Sequence, residues 1–135
     1  LMLDPAVVLF ANDAFYIAFN NRDFEAMEAL WSREAPPVCI HPGWRPLVTR
    51  DDILDSWREI FGNADGATGI STHAPRVVSQ ATLHTVVCYE QLPGGWLVAT
   101  NIFVMEAGEL RMIHHQAGQC MNPPDLDEEL QMALQ

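Results

Sequence analysis

The sequence predicts a single α+β domain in which helices come first and a run of antiparallel strands follows. Three observations carry this reading. Apolar residues recur at helical spacing as far as Gly62, whereas after Gly69 β-branched and aromatic runs take over, punctuated by Pro75, Pro93-Gly94-Gly95 and Gly108. The length of 135 residues suffices for one core and is short for two. Segregation of helices from strands along the chain is the α+β arrangement.

The first helix is expected from Asp4 to Asn21. One apolar stripe runs through Val8, Ala11, Phe15 and Phe19 and a second through Val7, Phe10, Ala14 and Ile17, the pattern of a helix buried on two sides. Asp23 caps a short second helix with Phe24, Met27, Leu30 and Trp31 on one face, and Pro36-Pro37 ends it. Val38-Cys39-Ile40-His41 is a brief extended segment stopped by Pro42-Gly43. Thr49, with Asp52 three residues on, opens a third helix whose Ile53, Leu54, Trp57, Ile60 and Phe61 share a face, with Gly62 at its end. Four strands follow, roughly Ile70 to Ser79, Thr82 to Leu92, Trp96 to Glu106 and Leu110 to Cys120, the last three as a meander. Residues 1–121 then form the domain, and Asn122-Pro123-Pro124 sets off an acidic tail over 122–135. In that tail Leu126, Leu130, Ala133 and Leu134 have helical spacing, either as a frayed terminal helix or as an element closing over a pocket or partner.

Composition excludes several function classes. A net charge of −11, with only seven Lys plus Arg scattered along the chain, repels phosphate backbones, so neither nucleic acid nor an anionic membrane is an expected partner. Charged residues interrupt every apolar stretch before the roughly 18 residues of a membrane span. Leu1 to Pro5 lacks the basic and apolar regions of a secretory signal, which gives cytoplasmic residence as the expectation. Cys39, Cys88 and Cys120 are odd in number and far apart, and read as reduced thiols rather than a disulfide framework or zinc site. Neither a G-x-G-x-x-G nor a P-loop motif is present, and the serines lack a nucleophile elbow, so no cofactor, no metal and no hydrolase triad is expected.

The order helix, helix, short strand, helix, meander resembles the nuclear-transport-factor-2-like superfamily from about Pro5 to Cys120, and within it the SnoaL-like branch. Local phrases carry the resemblance: Phe15-Tyr16-Ile17-Ala18-Phe19-Asn20-Asn21-Arg22-Asp23, Leu30-Trp31, Cys39-Ile40-His41-Pro42-Gly43, Asp51-Asp52-Ile53-Leu54-Asp55-Ser56-Trp57, Thr100-Asn101-Ile102-Phe103 and His114-His115-Gln116-Ala117. The resemblance implies a cone-shaped curved sheet wrapped around the helices, an internal pocket at its wide end, and a homodimer through the sheet. Relatives on this scaffold include ketosteroid isomerases, polyketide cyclases, dehydratases and members that only bind, so fold alone does not fix function.

Setting the chain beside ketosteroid isomerases puts His41 at their general-base aspartate, Asn101 at their hydrogen-bond-donating aspartate, Trp57 at a pocket aromatic and His115 on the cavity side. It also puts Phe15 at their oxyanion tyrosine, with Tyr16 pointing elsewhere. Imidazole titrates near neutrality and can shuttle a proton, and an amide N–H can stabilise an oxyanion in a dry pocket. His41, Asn101 and His115 are therefore the candidate catalytic residues, and Phe15, Phe19, Trp31, Trp57 and Phe103 the candidate pocket wall. Each has a structural reading beside the functional one: His41 as the partner of a buried carbonyl, Asn101 and His115 as a hydrogen-bond network, and the tryptophans as core. Glu90 is expected on an outward, solvated strand face. The functional expectation is an apolar pocket for a small organic molecule, serving cofactor-free isomerisation, cyclisation or (de)hydration. The alternative is a non-catalytic ligand-binding or protein-interaction module.

Overall fold

The computed structural model describes residues 2–63 and 69–125, so the helical spacing expected in the tail from Leu126 onward lies outside the described residues. Helices α1 (Pro5–Asn20) and α2 (Phe24–Leu30) precede strand β1 (Val38–Ile40), α3 (Arg50–Gly62) and strands β2 (Ser71–Gln80), β3 (Leu83–Leu92), β4 (Gly95–Glu106) and β5 (Glu109–Gln119). The five-stranded mixed sheet has the order β1-β5-β4-β3-β2, with β1 parallel to β5 and every other pairing antiparallel. The helices lie against this sheet, giving the expected α+β architecture with the meander extended by β2.

Local chemistry sets the helix ends. The Asp4 carboxylate accepts from the Ala6 N–H at 2.9 Å with Pro5 in the first turn, Asp23 accepts from Ala26 at 3.0 Å, and Thr49 Oγ1 accepts from Asp52 at 3.2 Å. Gly62 is the last helical residue of α3 and Asn63 takes the cap. Between β4 and β5, Ala107 at φ 51° and Gly108 at φ 83° make the tight turn whose twist matches a hairpin. In β2 the register shifts between His73 and Arg76, which is how Pro75 is accommodated without a ladder donor.

One expectation is corrected and one register finding added. Helix α1 is buried on one side: Val8, Asn12, Phe15, Tyr16 and Ala18 are buried, while Val7, Phe10 and Ile17 are exposed at 46%, 77% and 59%. A single helical layer covers one sheet face, so the second stripe has no layer above it among the described residues. In β5, strand alternation alone would put Ile113 with His115 and Ala117, but the ladder slips between Ile102↔His114 and Phe103↔Met112, leaving Ile113 as the extra residue and Met112 buried with His115 and Ala117.

The segment after α2 is held by one carboxylate. Glu106, at the end of β4, accepts from Ser32 Oγ at 2.5 Å and from the Arg33 and Glu34 N–H groups at 2.9 and 3.4 Å, while Ser32 Oγ accepts from Ala35 at 3.0 Å. Burial acts to raise the Glu106 pKa, but these donors and Arg111 outweigh it and hold the carboxyl below its ordinary range. A depressed folded-state pKa gives stability that is present above the unfolded value and lost as pH falls through the folded one. Glu106→Ala should lower stability at pH 7 by about 2 kcal/mol, because it leaves the Ser32 and Arg33 donors without their partner. Urea denaturation of the variant beside wild type checks this, and the difference should shrink in acid, as pH falls through the lowered Glu106 pKa and the wild-type carboxylate protonates.

Candidate functional site

A cavity of about 300 Å³ opens between the helices and the inner face of the sheet. Its aromatic wall is Phe15 and Phe19 from α1, Trp57 from α3 and Trp44 from the loop after β1, completed by Ile60, Ile70, Leu92 and Leu97. The polar groups on its lining are His41, Glu90 and His115. A larger open depression of about 790 Å³ lies where the N-terminal residues meet the β2–β3 end, but its His84 is already partnered by Ser79 Oγ at 2.8 Å. We therefore place the candidate chemistry in the smaller cavity, where polar groups converge on an apolar enclosure.

His41 is positioned by the turn that ends β1. Gly43 adopts φ 81°, the Trp44 N–H donates to the His41 carbonyl at 2.9 Å, and the Cys39–Leu47 bridge holds the base of the loop. The ring packs edge-on to Trp57 with centroids 4.7 Å apart and to Trp44 at 4.8 Å. Ser56 donates its hydroxyl to the Ile53 carbonyl at 2.6 Å, so its Oγ accepts the His41 Nε2–H at 2.9 Å and Nδ1 carries the lone pair. Burial pulls the imidazole down to a pKa of about 4, which keeps it neutral at pH 7.

His115 is set by the pairing of β5 with β4, which places it opposite Asn101. Asn101 Oδ1 accepts from His115 Nδ1–H at 2.6 Å, and the amide nitrogen donates to Asn12 Oδ1 at 2.8 Å and to the Tyr16 hydroxyl oxygen at 3.1 Å. With Nδ1 as the donor, His115 Nε2 holds the lone pair. Burial, with the His41 and His114 rings adding to it, pulls this imidazole down to about 3. The His41 and His115 rings are 6.4 Å apart, and Phe15 lies 4.8 Å from His115.

Glu90 is 2% exposed, which corrects the expectation of a solvated face. It alternates with His84, Val86 and Cys88 on the inner side of β3, so strand parity from Cys88 is the signal that could have placed it. Tyr16 donates to Glu90 Oε2 at 2.6 Å and also lies 3.5 Å from the Cys88 sulfur. Tyr16 is thus inward-facing alongside Phe15, four residues after Asn12 on the buried face of α1, rather than pointing away from the site. Burial and the neighbouring Glu90 raise the phenol pKa far above its ordinary value, so it stays a neutral donor, and burial also raises Glu90.

The expected wall residues divide. Phe15, Phe19 and Trp57 line the cavity with His41 and His115, whereas Trp31 and Phe103 do not. Trp31, 1% exposed, caps α2 and bridges to Met112, and Phe103 is fully buried beyond the ladder slip; both are core. Asn101, also fully buried, stands behind His115, with both amide hydrogens engaged inside the protein. Cys39 and Cys88 are buried free thiols with raised pKa values, Cys39 pushed up to about 12 by burial, so neither is a ready thiolate. Among the described residues, no group of three or more His, Cys, Asp or Glu could hold a metal, and no helix is long and apolar enough to cross a membrane.

The depressed imidazole pKa values have a measurable consequence. As pH falls below about 6.5, the unfolded chain takes up protons that folded His41 and His115 refuse, so stability is lost progressively until pH reaches their folded values. The loss attributable to His41 should be on the order of 3 kcal/mol by about pH 4. Imidazole NMR titration should show both rings neutral at pH 5.5, and a ring of either residue titrating near its ordinary value would contradict the burial argument.

A model of the SnoaL-like domain family matches residues 8–121. Among solved structures, a candidate dehydratase of the NTF2-like family from Streptomyces avermitilis is similar at 27% identity and TM-score 0.80, covering 87% of this chain and 96% of that one. A candidate calcium/calmodulin-dependent protein kinase type II association domain from Thiobacillus denitrificans is 33% identical with TM-score 0.74, covering 82% and 93%. A ketosteroid isomerase-like protein from Erwinia carotovora atroseptica shares the fold at 18% identity and TM-score 0.63, over 87% of this chain and 96% of its own. The F-box protein SKIP8 of Arabidopsis thaliana is 24% identical over 111 residues, 82% of this chain and 48% of that protein, so the chain spans about half the length of this curated relative. With nearly the whole helix-and-meander unit matched, the chain belongs to the SnoaL-like domain family.

Proposed function

We propose that the cavity binds a small, mainly apolar organic molecule and moves a proton on it without a cofactor. The observation that carries this is the pair of neutral, buried imidazoles on the cavity wall, each held in one tautomer by a protein partner. His115 Nε2 is the base offered to a bound molecule, with His41 Nδ1, 3.9 Å from the Cys39 sulfur, as the second. Asn101 acts as a positioning residue for His115 rather than as an oxyanion donor, because its N–H groups are already engaged. Isomerisation, cyclisation and (de)hydration each require such a relocation of a proton, and similarity to the candidate dehydratase supports the last of these classes.

The second reading, a non-catalytic binding or assembly module, is favoured by similarity to the candidate kinase association domain and by exposed Val78, Val87 and Val98 on the strands. Pairing of two copies through the outer sheet face fits either reading.

Native followed by denaturing mass spectrometry of the untreated protein tests the proposal. The expected result is a retained organic molecule, absent from an Ile60→Trp variant that fills the cavity. Turnover of that molecule should fall about 10²- to 10⁴-fold in folded His115→Gln, the range for loss of a general base. A folded His115→Gln that converts it at the wild-type rate removes the catalytic assignment and leaves the binding reading. An Ile60→Trp variant that retains the molecule equally well places the binding elsewhere.

A further inference from the structure

Four of the polar hydrogens around the cavity are already committed to protein acceptors. Ser56 gives its hydroxyl hydrogen to Ile53, His41 its Nε2–H to Ser56, His115 its Nδ1–H to Asn101, and Tyr16 its phenolic hydrogen to Glu90. The polar lining residues are left with acceptors: His115 Nε2, His41 Nδ1 with the Cys39 sulfur 3.9 Å from it, and, when Glu90 is ionised, the carboxylate oxygen that Tyr16 does not engage. The donor on a lining residue that has no protein partner is the buried indole N–H of Trp57. A ligand whose polar end is a carbonyl, enolate or carboxylate therefore meets mostly lone pairs, which repel it.

Glu90 adds a sign to this pattern. Its side chain is buried on the cavity wall, and neither Lys nor Arg is among the lining residues or within salt-bridge distance of it among the described residues. A buried carboxyl with one neutral hydrogen-bond donor and no cation is expensive to ionise, and a cation arriving from solution removes that cost. Phe15, Phe19 and Trp57 line the same cavity, and an aromatic ring attracts a cation that meets its face. The net charge of −11 draws cations toward the protein and repels anions.

We propose that the cavity receives a small apolar amine, with its ammonium set against Glu90 and its hydrocarbon body against Phe15, Phe19 and Trp57. The assignment rests on the reading of the cavity as a small-molecule site and gives that site a ligand class. Binding leaves Glu90 as a carboxylate paired to the ammonium while Tyr16 continues to donate to it. Because burial raises the Glu90 pKa, any proton that Glu90 carries in the free protein is released when the amine binds.

Three probes of matched size separate the outcomes: phenethylamine, 2-phenylethanol and phenylacetate, titrated against the full chain by tryptophan fluorescence and calorimetry. Phenethylamine should bind at least about tenfold more tightly than 2-phenylethanol, and phenylacetate most weakly. In Glu90→Gln, confirmed folded by circular dichroism, phenethylamine should lose that advantage while 2-phenylethanol binds as before. Should this variant not fold, carbon-13 NMR of the Glu90 carboxyl in the wild-type protein gives the same information: with phenethylamine bound it should have the shift of an ionised carboxylate and respond to the amine nitrogen. A bound amine that leaves the Glu90 resonance unchanged overturns the proposal. Equal or tighter binding of the alcohol or the carboxylate overturns the amine assignment and leaves the small-molecule reading intact. Failure of all three probes to bind the folded protein overturns both.

Discussion

The fully buried side chain of Asn101 ties the helical layer to the sheet. From β4 it reaches Asn12 and Tyr16 on α1 and His115 on β5, and through Tyr16 it connects to Glu90 on β3. Each of these groups would be costly to bury alone, and each is tolerated because the next one satisfies it. The network therefore does two things at once. It fixes how α1 lies across the sheet, and it determines which hydrogens the cavity still has to offer.

That second consequence bears on the oxyanion-donor role that the resemblance to ketosteroid isomerases implies for Asn101. An oxyanion needs uncommitted donors aimed at it. Here Asn101 has turned its amide hydrogens into the core, and Tyr16 has turned its phenol toward a carboxyl. The imidazoles are held in opposite tautomers by Ser56 and Asn101, so both present lone pairs. Burial keeps them neutral, and the aromatic packing of Trp57 against His41 and Phe15 keeps the enclosure apolar. The lone pairs left on the lining are the common basis of the proposed acid–base chemistry and the proposed ligand class.

Much of the scaffold was legible in the order of residues, because its signals are local. Asp23 and Thr49 announce helix starts through short side chains that reach their own backbone, and the break at Pro42-Gly43 reflects a turn that only a few residue types can make. The cavity positions of Phe15, Phe19, Trp57, His41 and His115 coincide with residues singled out by the resemblance. Trp31 and Phe103 were less tractable. Their apolar stripes mark them as inward-facing, but whether an inward residue meets a cavity or another side chain depends on what lies opposite it.

The sequence by itself determined the succession of elements and the starts of the helices. These follow from backbone propensity and from the periods of helix and strand, which act over a few residues. Tertiary structure alone decided that one stripe of α1 stays exposed, that a slip after Ile102 turns Met112 inward, and that Glu90 finds Tyr16 across the helix–sheet interface. The Tyr16–Glu90 contact joins residues 74 positions apart, and its existence depends on register and layer packing rather than on either neighbourhood. Burial then shifts the pKa values, because desolvation is a property of the assembled core and not of any stretch of chain.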